Sequence, residues 1–242
     1  MPSYYPPHKI QEHRGLDRPL TRPFNMDPYC HLALLPEVNT TWRDYSGKGH
    51  DGTIIGASPA VTPRGNGLYF DAVNDYVTHG DILDMGTSDF TLLIWVCPTD
   101  IATQHGFVIS KGNTTAVPAA ANCGYHIRVN SVTSLVEGKI QGAAAATTST
   151  SLVTLSDNVW FHIAFTADRS GNSQMYIDGL ATGAVDDISA LGDIDNAKNF
   201  VVGSYSGNPA VTEFAGYIDE VLVFKRLLSP QEIFNVYMAG RP

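Results

Sequence analysis

The stretch WFHIAFTADRSGNSQMYIDG, residues 160–179, decides the fold class of this chain. Two runs rich in aromatic and β-branched residues, 160–166 and 173–177, flank the polar segment DRSGN. Such runs form strands, and a short polar segment with glycine and asparagine between them forms a turn. The stretch therefore predicts a β-hairpin, followed by a second turn at Asp178-Gly179.

The alternation of side chains indicates that the first of these strands is buried on both sides. Successive residues of a strand point to opposite faces of the sheet. One face would carry Trp160, His162, Ala164 and Thr166, and the other would carry Phe161, Ile163 and Phe165. Since both faces are mostly apolar, the strand would lie in the middle of a sandwich. We interpret Trp160 and His162 as core residues rather than as parts of a sugar site or a catalytic site.

The same short apolar runs, separated by glycine, asparagine and aspartate, recur along most of the chain. Clear examples are DFTLLIWVCP (89–98), GFVISKG (106–112) and GYHIRVN (124–130). Residues 143–151, AAAATTSTS, predict a loop or a weak edge strand. Only residues 229–240 have helix signals, with Ser229 as the N-cap and Glu232 three positions later. The pattern predicts an all-β protein, a two-sheet antiparallel jelly-roll sandwich with one short C-terminal helix.

The N-terminal residues 1–36 differ from the rest of the chain. They hold seven of the 14 prolines, and proline fixes φ and removes a backbone donor. The segment therefore predicts an extended N-terminal arm, followed by one domain over residues 37–242. Its aromatic side chains could dock onto a neighbouring subunit, and a disordered tail is the alternative. The candidate docking residues are Tyr4, Tyr5, Phe24 and Tyr29.

Composition excludes several classes of protein. The net charge of -9 argues against nucleic acid as a partner. No apolar run approaches the roughly 18 residues of a membrane-spanning helix. Three cysteines, Cys30, Cys97 and Cys123, are too few for a disulfide framework. Cys97 fits a small buried residue, whereas a disulfide at Cys30 or Cys123 stays an alternative.

Five motifs resemble, in order, those of LamG-like (laminin-G/pentraxin-like) domains in the concanavalin A-like lectin/glucanase superfamily. They are DYSGKGHDGT (44–53), LYFDAVNDYV (68–77), DFTLLIWVCP (89–98), the hairpin 160–179, and GYIDEVLVFKRLLSPQEI (216–233). The resemblance implies two packed antiparallel sheets and a concave face where many relatives bind sugars. It also implies that one structural calcium ion could be present.

Calcium prefers several hard oxygen ligands from carboxylates and carbonyls. Asp44 and Asp51 lie in a glycine-punctuated loop, and the resemblance places Asp219 of the closing strand near that loop. These three aspartates are the predicted metal ligands. The alternative is that Asp44 and Asp51 cap turns, while Asp219 pairs with Lys48 or an arginine.

A sugar site needs an exposed aromatic ring with polar partners beside it. Tyr205 and Asn208 fall in the predicted rim loop GSYSGNPA (203–210), and Tyr125 and His126 fall in a strand. These four residues are the candidate ligand-binding residues. Packing in the core is the alternative for the tyrosines.

The sequence lacks the pattern of carboxylates that a retaining glycosidase uses. The closest approach is Glu213, Asp219 and Glu220. Adjacent residues such as Asp219 and Glu220 point to opposite faces of a strand. We therefore predict no catalytic residues and no enzyme activity.

Three functions remain. The sequence favours a non-catalytic structural protein, a virion (phage) surface or capsid-decorating subunit whose arm anchors it within a homo-oligomer. The alternative is a lectin-like module that binds a cell-surface glycan in adhesion or recognition. A glycoside hydrolase is the third and least favoured. The expected location is the virion surface or the extracellular space.

Overall fold

A computed structural model describes residues 27–34, 41–63, 65–103, 106–208 and 212–240. The predicted docking residues Tyr4, Tyr5 and Phe24 lie outside these ranges. No helix in the described ranges is long and apolar enough to cross a membrane.

The described residues form strands and one α-helix, in two antiparallel sheets. The strands are β1 (Cys30–Leu34), β2 (Thr41–Trp42), β3 (Gly52–Ile55), β4 (Ser58–Thr62), β5 (Gly65–Asp71), β6 (Tyr76–Thr78), β7 (Phe90–Pro98), β8 (Gly106–Gly112), β9 (Gly124–Val129), β10 (Leu135–Gln141), β11 (Ala146–Thr154), β12 (Phe161–Ala167), β13 (Asn172–Ile177), β14 (Leu180–Asp187), β15 (Phe200–Val202) and β16 (Ala215–Phe224). The helix, α1, is Pro230–Gly240, and a short 3-10 helix is Ala120–Asn122.

The two sheets pack face to face as a jelly-roll sandwich. Sheet A has the strand order β14-β13-β12-β7-β16-β5-β4, with β1 also paired to β16. Sheet B has the order β11-β10-β9-β8-β15-β6-β3-β2. The predicted fold class, an all-β antiparallel sandwich with one C-terminal helix, is confirmed.

The hairpin that decides the fold lies inside sheet A. Strand β12 pairs with β13 in the register Ile163↔Ile177. The turn after β13 has positive φ at both Asp178 (52°) and Gly179 (79°), the requirement of a two-residue type I′ turn. The Asp178 carboxylate also accepts a hydrogen bond of 2.9 Å from the amide of His162.

Every residue of β12 is buried, as the sequence predicts. One face points into the space between the sheets, where the ring of Phe165 meets that of Phe90 edge-on, with centroids 6.4 Å apart. The other face is covered from outside by the C-terminal segment. His162 lies there, 5.2 Å from the ring of Trp95 and 6.0 Å from that of Tyr237. The hairpin is thus part of the core rather than a binding site.

The helix α1 begins with the predicted capping box. The Ser229 amide donates to the Glu232 carboxylate at 2.8 Å, and the Glu232 amide donates to the Ser229 hydroxyl at 3.3 Å. Arg226 adds a second contact, because its Nη2 lies 2.8 Å from Glu232 and 2.6 Å from Asp27. This guanidinium joins the start of the helix to the segment before β1.

The contact with Arg226 predicts a stability that falls in acid. Arg226 lowers the pKa of the Glu232 carboxyl from its ordinary value of 4.5 to about 2. Because the folded pKa lies below the unfolded value, the stabilisation is full above pH 4.5 and is lost as the pH falls toward 2. Solvent screens this exposed pair, so we expect Glu232→Gln to cost about 1 kcal/mol or less at neutral pH. Urea unfolding of both proteins between about pH 6 and pH 3 should show the difference shrinking, and a constant difference would contradict the assignment.

One element differs from the sequence predictions. Cys30–Leu34, inside the predicted arm, is β1 and pairs with β16 in the register Ala33↔Leu222. This strand follows Pro28 and contains no proline, so the proline argument does not apply to it, and the predicted boundary at residue 36 shifts toward the N-terminus. Tyr29, just before β1, is 54% exposed and its carbonyl accepts a hydrogen bond from the Lys225 amide.

Of the two alternatives that the sequence leaves for residues 143–151, a loop or a weak edge strand, the structure has the strand: β11 extends over nine residues at the edge of sheet B. It pairs with β10 and closes one side of the sandwich against β14. The hydroxyls of Ser149 and Ser173 lie 2.7 Å apart there. Gly183 allows β14 to lie this close to β11, because a Cβ at this position would lie 1.9 Å from the carbonyl oxygen of Thr150.

Candidate functional site

The outer face of sheet B carries an open cleft. In β6, Val77 is fully buried in the core, so Tyr76 and Thr78 on either side of it point outward. Together with residues 197–199, Ser206 and Gly207, they line a cleft of about 320 Å³. We call it the Tyr76 cleft.

Hydrogen bonds to sheet B fix one wall of this cleft. The Ser206 amide donates to the Ser110 hydroxyl at 2.6 Å, and the Ser110 hydroxyl donates to the Ser204 carbonyl at 2.7 Å. The Ser206 hydroxyl donates to the carbonyl of Asn199 at 2.5 Å. These bonds hold the 204–207 turn against β8 and join both sides of the cleft, so the cleft is formed before any ligand binds.

Tyr205 supports this turn from below. Its ring is 6% exposed and packs 4.9 Å from the ring of Phe107. Its hydroxyl donates to Asn113 at 2.5 Å and accepts from the Thr115 hydroxyl at 2.8 Å. A Cβ at Gly207 would lie 2.5 Å from the Tyr205 ring. Tyr205 is therefore a packing residue, and its burial removes the exposed ring face on which the predicted sugar platform depends.

Three polar groups of the cleft lining stay open to a ligand. The Asn199 amide donates to the Thr78 hydroxyl at 3.1 Å, which leaves its side-chain carbonyl as a free acceptor within the described ranges. Tyr76 is half-buried, and its hydroxyl has no hydrogen-bond partner among the described residues. The ammonium of Lys198 likewise forms neither a hydrogen bond nor an ion pair there.

Lys111 anchors the cleft from inside the sandwich. Its side chain is fully buried, and Nζ lies 2.6 Å from Asp81 and 3.0 Å from Asp84. The same ammonium donates to the carbonyl oxygen of Lys198 at 2.8 Å. The backbone that presents Lys198 and Asn199 is thus tied to a buried charge.

The other predicted ligand-binding residues lie elsewhere. Tyr125 is 1% exposed in the core and donates its hydroxyl to the Leu83 carbonyl at 2.8 Å. His126 is 2% exposed, with its Nδ1 2.6 Å from the Thr114 hydroxyl, and burial lowers its pKa well below the ordinary value. Neither presents a ring face to solvent. Asn208 is exposed at the end of the 204–207 turn, outside the cleft lining.

The predicted metal ligands have the following surroundings. The Asp44 carboxylate accepts hydrogen bonds from the amides of Ala33, Ser46 and His50 and from the Ser46 hydroxyl, and Asp51 accepts one from the Asp44 amide. Asp219 is fully buried in β16 and accepts from the Thr62 hydroxyl at 3.2 Å. Within the described residues, no three His, Cys, Asp or Glu side chains are grouped so that they could hold a metal ion. Asp44 here orders the loop as a turn cap, and calcium stays a prediction.

The three cysteines and the carboxylates considered for catalysis lie in the following surroundings. Cys30, Cys97 and Cys123 are all buried and unpaired, and burial raises the pKa of the Cys30 thiol to about 12. Of the carboxylates considered for catalysis, Glu213 accepts a bond of 3.3 Å from the Asn74 amide. Asp219 and Glu220 lie on β16 beside a register shift.

Tyr76 and Asn199 were missed by the sequence reasoning. A local signal exists for Tyr76, because it and Thr78 flank the apolar Val77 in the run DYVTHG. No local signal marks Asn199 as its partner, since the two residues meet only through the pairing of β6 with β15.

The two packed antiparallel sheets define a jelly-roll β-sandwich, with a polar cleft on the outer face of one sheet. The family described as the concanavalin A-like lectin/glucanases superfamily matches residues 71–234, and the chain belongs to it. No curated protein sequence matches the chain significantly.

Several solved structures share this fold. The binding domain of Paraclostridial Mosquitocidal Protein 1 is 16% identical, with a TM-score of 0.69 over 86% of this chain and 52% of that chain. Domain 4 of AbnA, a GH43 extracellular arabinanase from Geobacillus stearothermophilus, in complex with arabinotriose, is 17% identical, with a TM-score of 0.66 over 86% of this chain and 98% of that chain. The botulinum neurotoxin serotype D ligand-binding domain in complex with N-acetylneuraminic acid is 16% identical, with a TM-score of 0.65 over 90% of this chain and 52% of that chain. The chain thus spans about half the length of the two toxin domains.

Proposed function

We propose that this chain is a non-catalytic, lectin-like module and that the Tyr76 cleft binds a glycan. The observation that carries the proposal is a half-buried tyrosine side chain that lines a preformed, polar depression together with an open amide carbonyl. Sugars present C–H faces that pack on aromatic rings and hydroxyls that pair with amide groups, and a cleft with few fixed polar groups suits them.

The similar structures support this proposal over the assembly function. Two of the three are binding domains or ligand-binding domains, and two were solved with a sugar bound. At this level of identity they share the fold alone, so the site itself rests on the cleft geometry. The virion function depends on Tyr4, Tyr5 and Phe24, which lie outside the described residues, and it stays a prediction together with the virion or extracellular location.

We expect Tyr76→Ala to weaken glycan binding by about tenfold or more, because it removes the central aromatic surface of the cleft. The measurement is binding of the wild type and the variant to an array of neutral and acidic oligosaccharides, followed by titration calorimetry with the strongest binder. The melting temperature should change little, since the Tyr76 ring is only half-buried.

Tyr29→Ala is the matched control. Tyr29 is an exposed tyrosine outside the cleft lining, at 54% exposure, and its removal should leave glycan binding unchanged. A wild-type protein that binds no oligosaccharide on the array would contradict the proposed function. Equal losses for Tyr76→Ala and Tyr29→Ala would show that the site lies elsewhere.

A further inference from the structure

The lining of the Tyr76 cleft carries one positive charge and no negative one. Its residues are Tyr76, Thr78, Ala197, Lys198, Asn199, Ser206 and Gly207. The chain as a whole has a net charge of -9. The cleft lining therefore differs from the chain in the sign of its charge. We propose that the cleft selects acidic glycans, with the ammonium of Lys198 binding a sugar carboxylate; the inference rests on the proposed function.

The backbone of Lys198 is fixed on both sides. Its amide donates to the Asn196 side chain at 2.9 Å, and its carbonyl accepts from the buried Lys111 ammonium at 2.8 Å. The side chain itself is exposed. A charged side chain whose backbone is held by hydrogen bonds loses less conformational entropy on binding than one on a mobile loop. A charge-assisted hydrogen bond to a carboxylate is also among the stronger polar contacts.

The acidic residues around this segment are engaged with other groups. Asp195 accepts a hydrogen bond of 2.5 Å from the Gly86 amide, and Asp193 accepts one of 2.8 Å from the Asp195 amide. Asp81 pairs with Lys111 at 2.6 Å. None of the described acidic residues forms an ion pair with Lys198, so its charge is available to a ligand.

The other polar groups of the cleft that have no partner among the described residues can bind the hydroxyls of the same sugar. The Asn199 carbonyl can accept from a sugar hydroxyl, and the Tyr76 hydroxyl can donate or accept. A carboxylate on one side of the ring and hydroxyls on the other occur in both sialic acids and uronic acids. The shared feature is the carboxylate, and the experiment separates the two sources.

The test uses two pairs of probes, in each of which one member has a charged carboxylate and the other its neutral methyl ester. One is 3′-sialyllactose with its methyl ester, and the other is an oligogalacturonate with its methyl ester. Titration calorimetry at neutral pH should give about tenfold tighter binding of the free acid in at least one pair. The pair that shows the difference identifies the source of the carboxylate.

Lys198→Gln should remove this preference, because acid and ester would then bind equally, while Lys198→Arg should keep it. Lys48→Gln is the matched control, since Lys48 is exposed in the 44–51 loop and lies outside the cleft lining. A preference that survives Lys198→Gln would overturn the inference. So would equal binding of acid and ester by the wild type, or no binding of either pair. If neutral glycans still bind and Tyr76→Ala still weakens that binding, the proposed function stands while this inference fails.

Discussion

Replacement of Phe165 by alanine is expected to lower the free energy of unfolding by about 3–5 kcal/mol, the usual cost of removing a buried phenylalanine ring. Phe165 is fully buried in β12, and its ring packs on that of Phe90 between the two sheets. Tight packing across the gap prevents the neighbours from collapsing into the space left behind. Urea unfolding at neutral pH measures the loss.

Gly138 of sheet B makes the prediction for Phe165 more specific. A Cβ at Gly138 would lie 2.7 Å from Cδ2 of Phe165, so Gly138→Ala should destabilise the wild type and cost less in the Phe165→Ala background. The exposed Leu180, on the outer strand β14, provides the control, and Leu180→Ala should change stability by about 0.5 kcal/mol or less. A loss below about 1 kcal/mol for Phe165→Ala would contradict a core that is packed across both sheets.

The second large effect is expected for Lys111→Met, which keeps an unbranched side chain and removes the charge. We expect a loss of about 2–3 kcal/mol in unfolding free energy. A pair buried on both sides would cost more, but the Asp81 side chain is 47% exposed and can be hydrated after the lysine is lost. Oδ1 of Asp84, 3.0 Å from Nζ, is buried and loses its counter-charge. The carbonyl of Lys198 loses its donor in the same variant.

Lys111→Met should therefore also weaken glycan binding, although Lys111 does not line the cleft. Stability is measured by urea unfolding, and binding is measured by calorimetry at a temperature where the variant is fully folded. Lys48→Met, at an exposed position, should change neither quantity. Unchanged binding by folded Lys111→Met protein would mean that the 197–199 segment keeps its position without the buried ammonium.

The fold could be predicted because its signals are local. The hairpin 160–179 combines a strand that is apolar on both faces with an Asp-Gly turn, and the capping box at Ser229 and Glu232 is complete within four residues. β11 is different, because its threonines and serines have no apolar alternation. Its identity as a strand depends on β10 and β14, which supply partners from elsewhere in the chain.

The candidate site could be predicted only in part, because it depends on contacts between distant segments. The sequence places Tyr205 in a loop and Tyr76 in a strand, which makes Tyr205 the better candidate for an exposed ring. In the folded chain, Phe107 and Asn113 bury Tyr205. Tyr76 is adjacent to the core residue Val77 in β6, so its side chain points to the opposite, outer face of the sheet. The bond from Lys111 to the Lys198 carbonyl joins residues 87 positions apart, and no local pattern marks it.

The most direct test of the glycan site is a ¹⁵N–¹H chemical-shift titration of the wild-type protein with the strongest oligosaccharide from the array. The account predicts that the largest amide shifts fall at residues 76–78, 197–199 and 206–207, the lining of the Tyr76 cleft. Shifts that cluster instead on the 44–51 loop or on the outer face of sheet A, with the cleft amides unmoved, would contradict it.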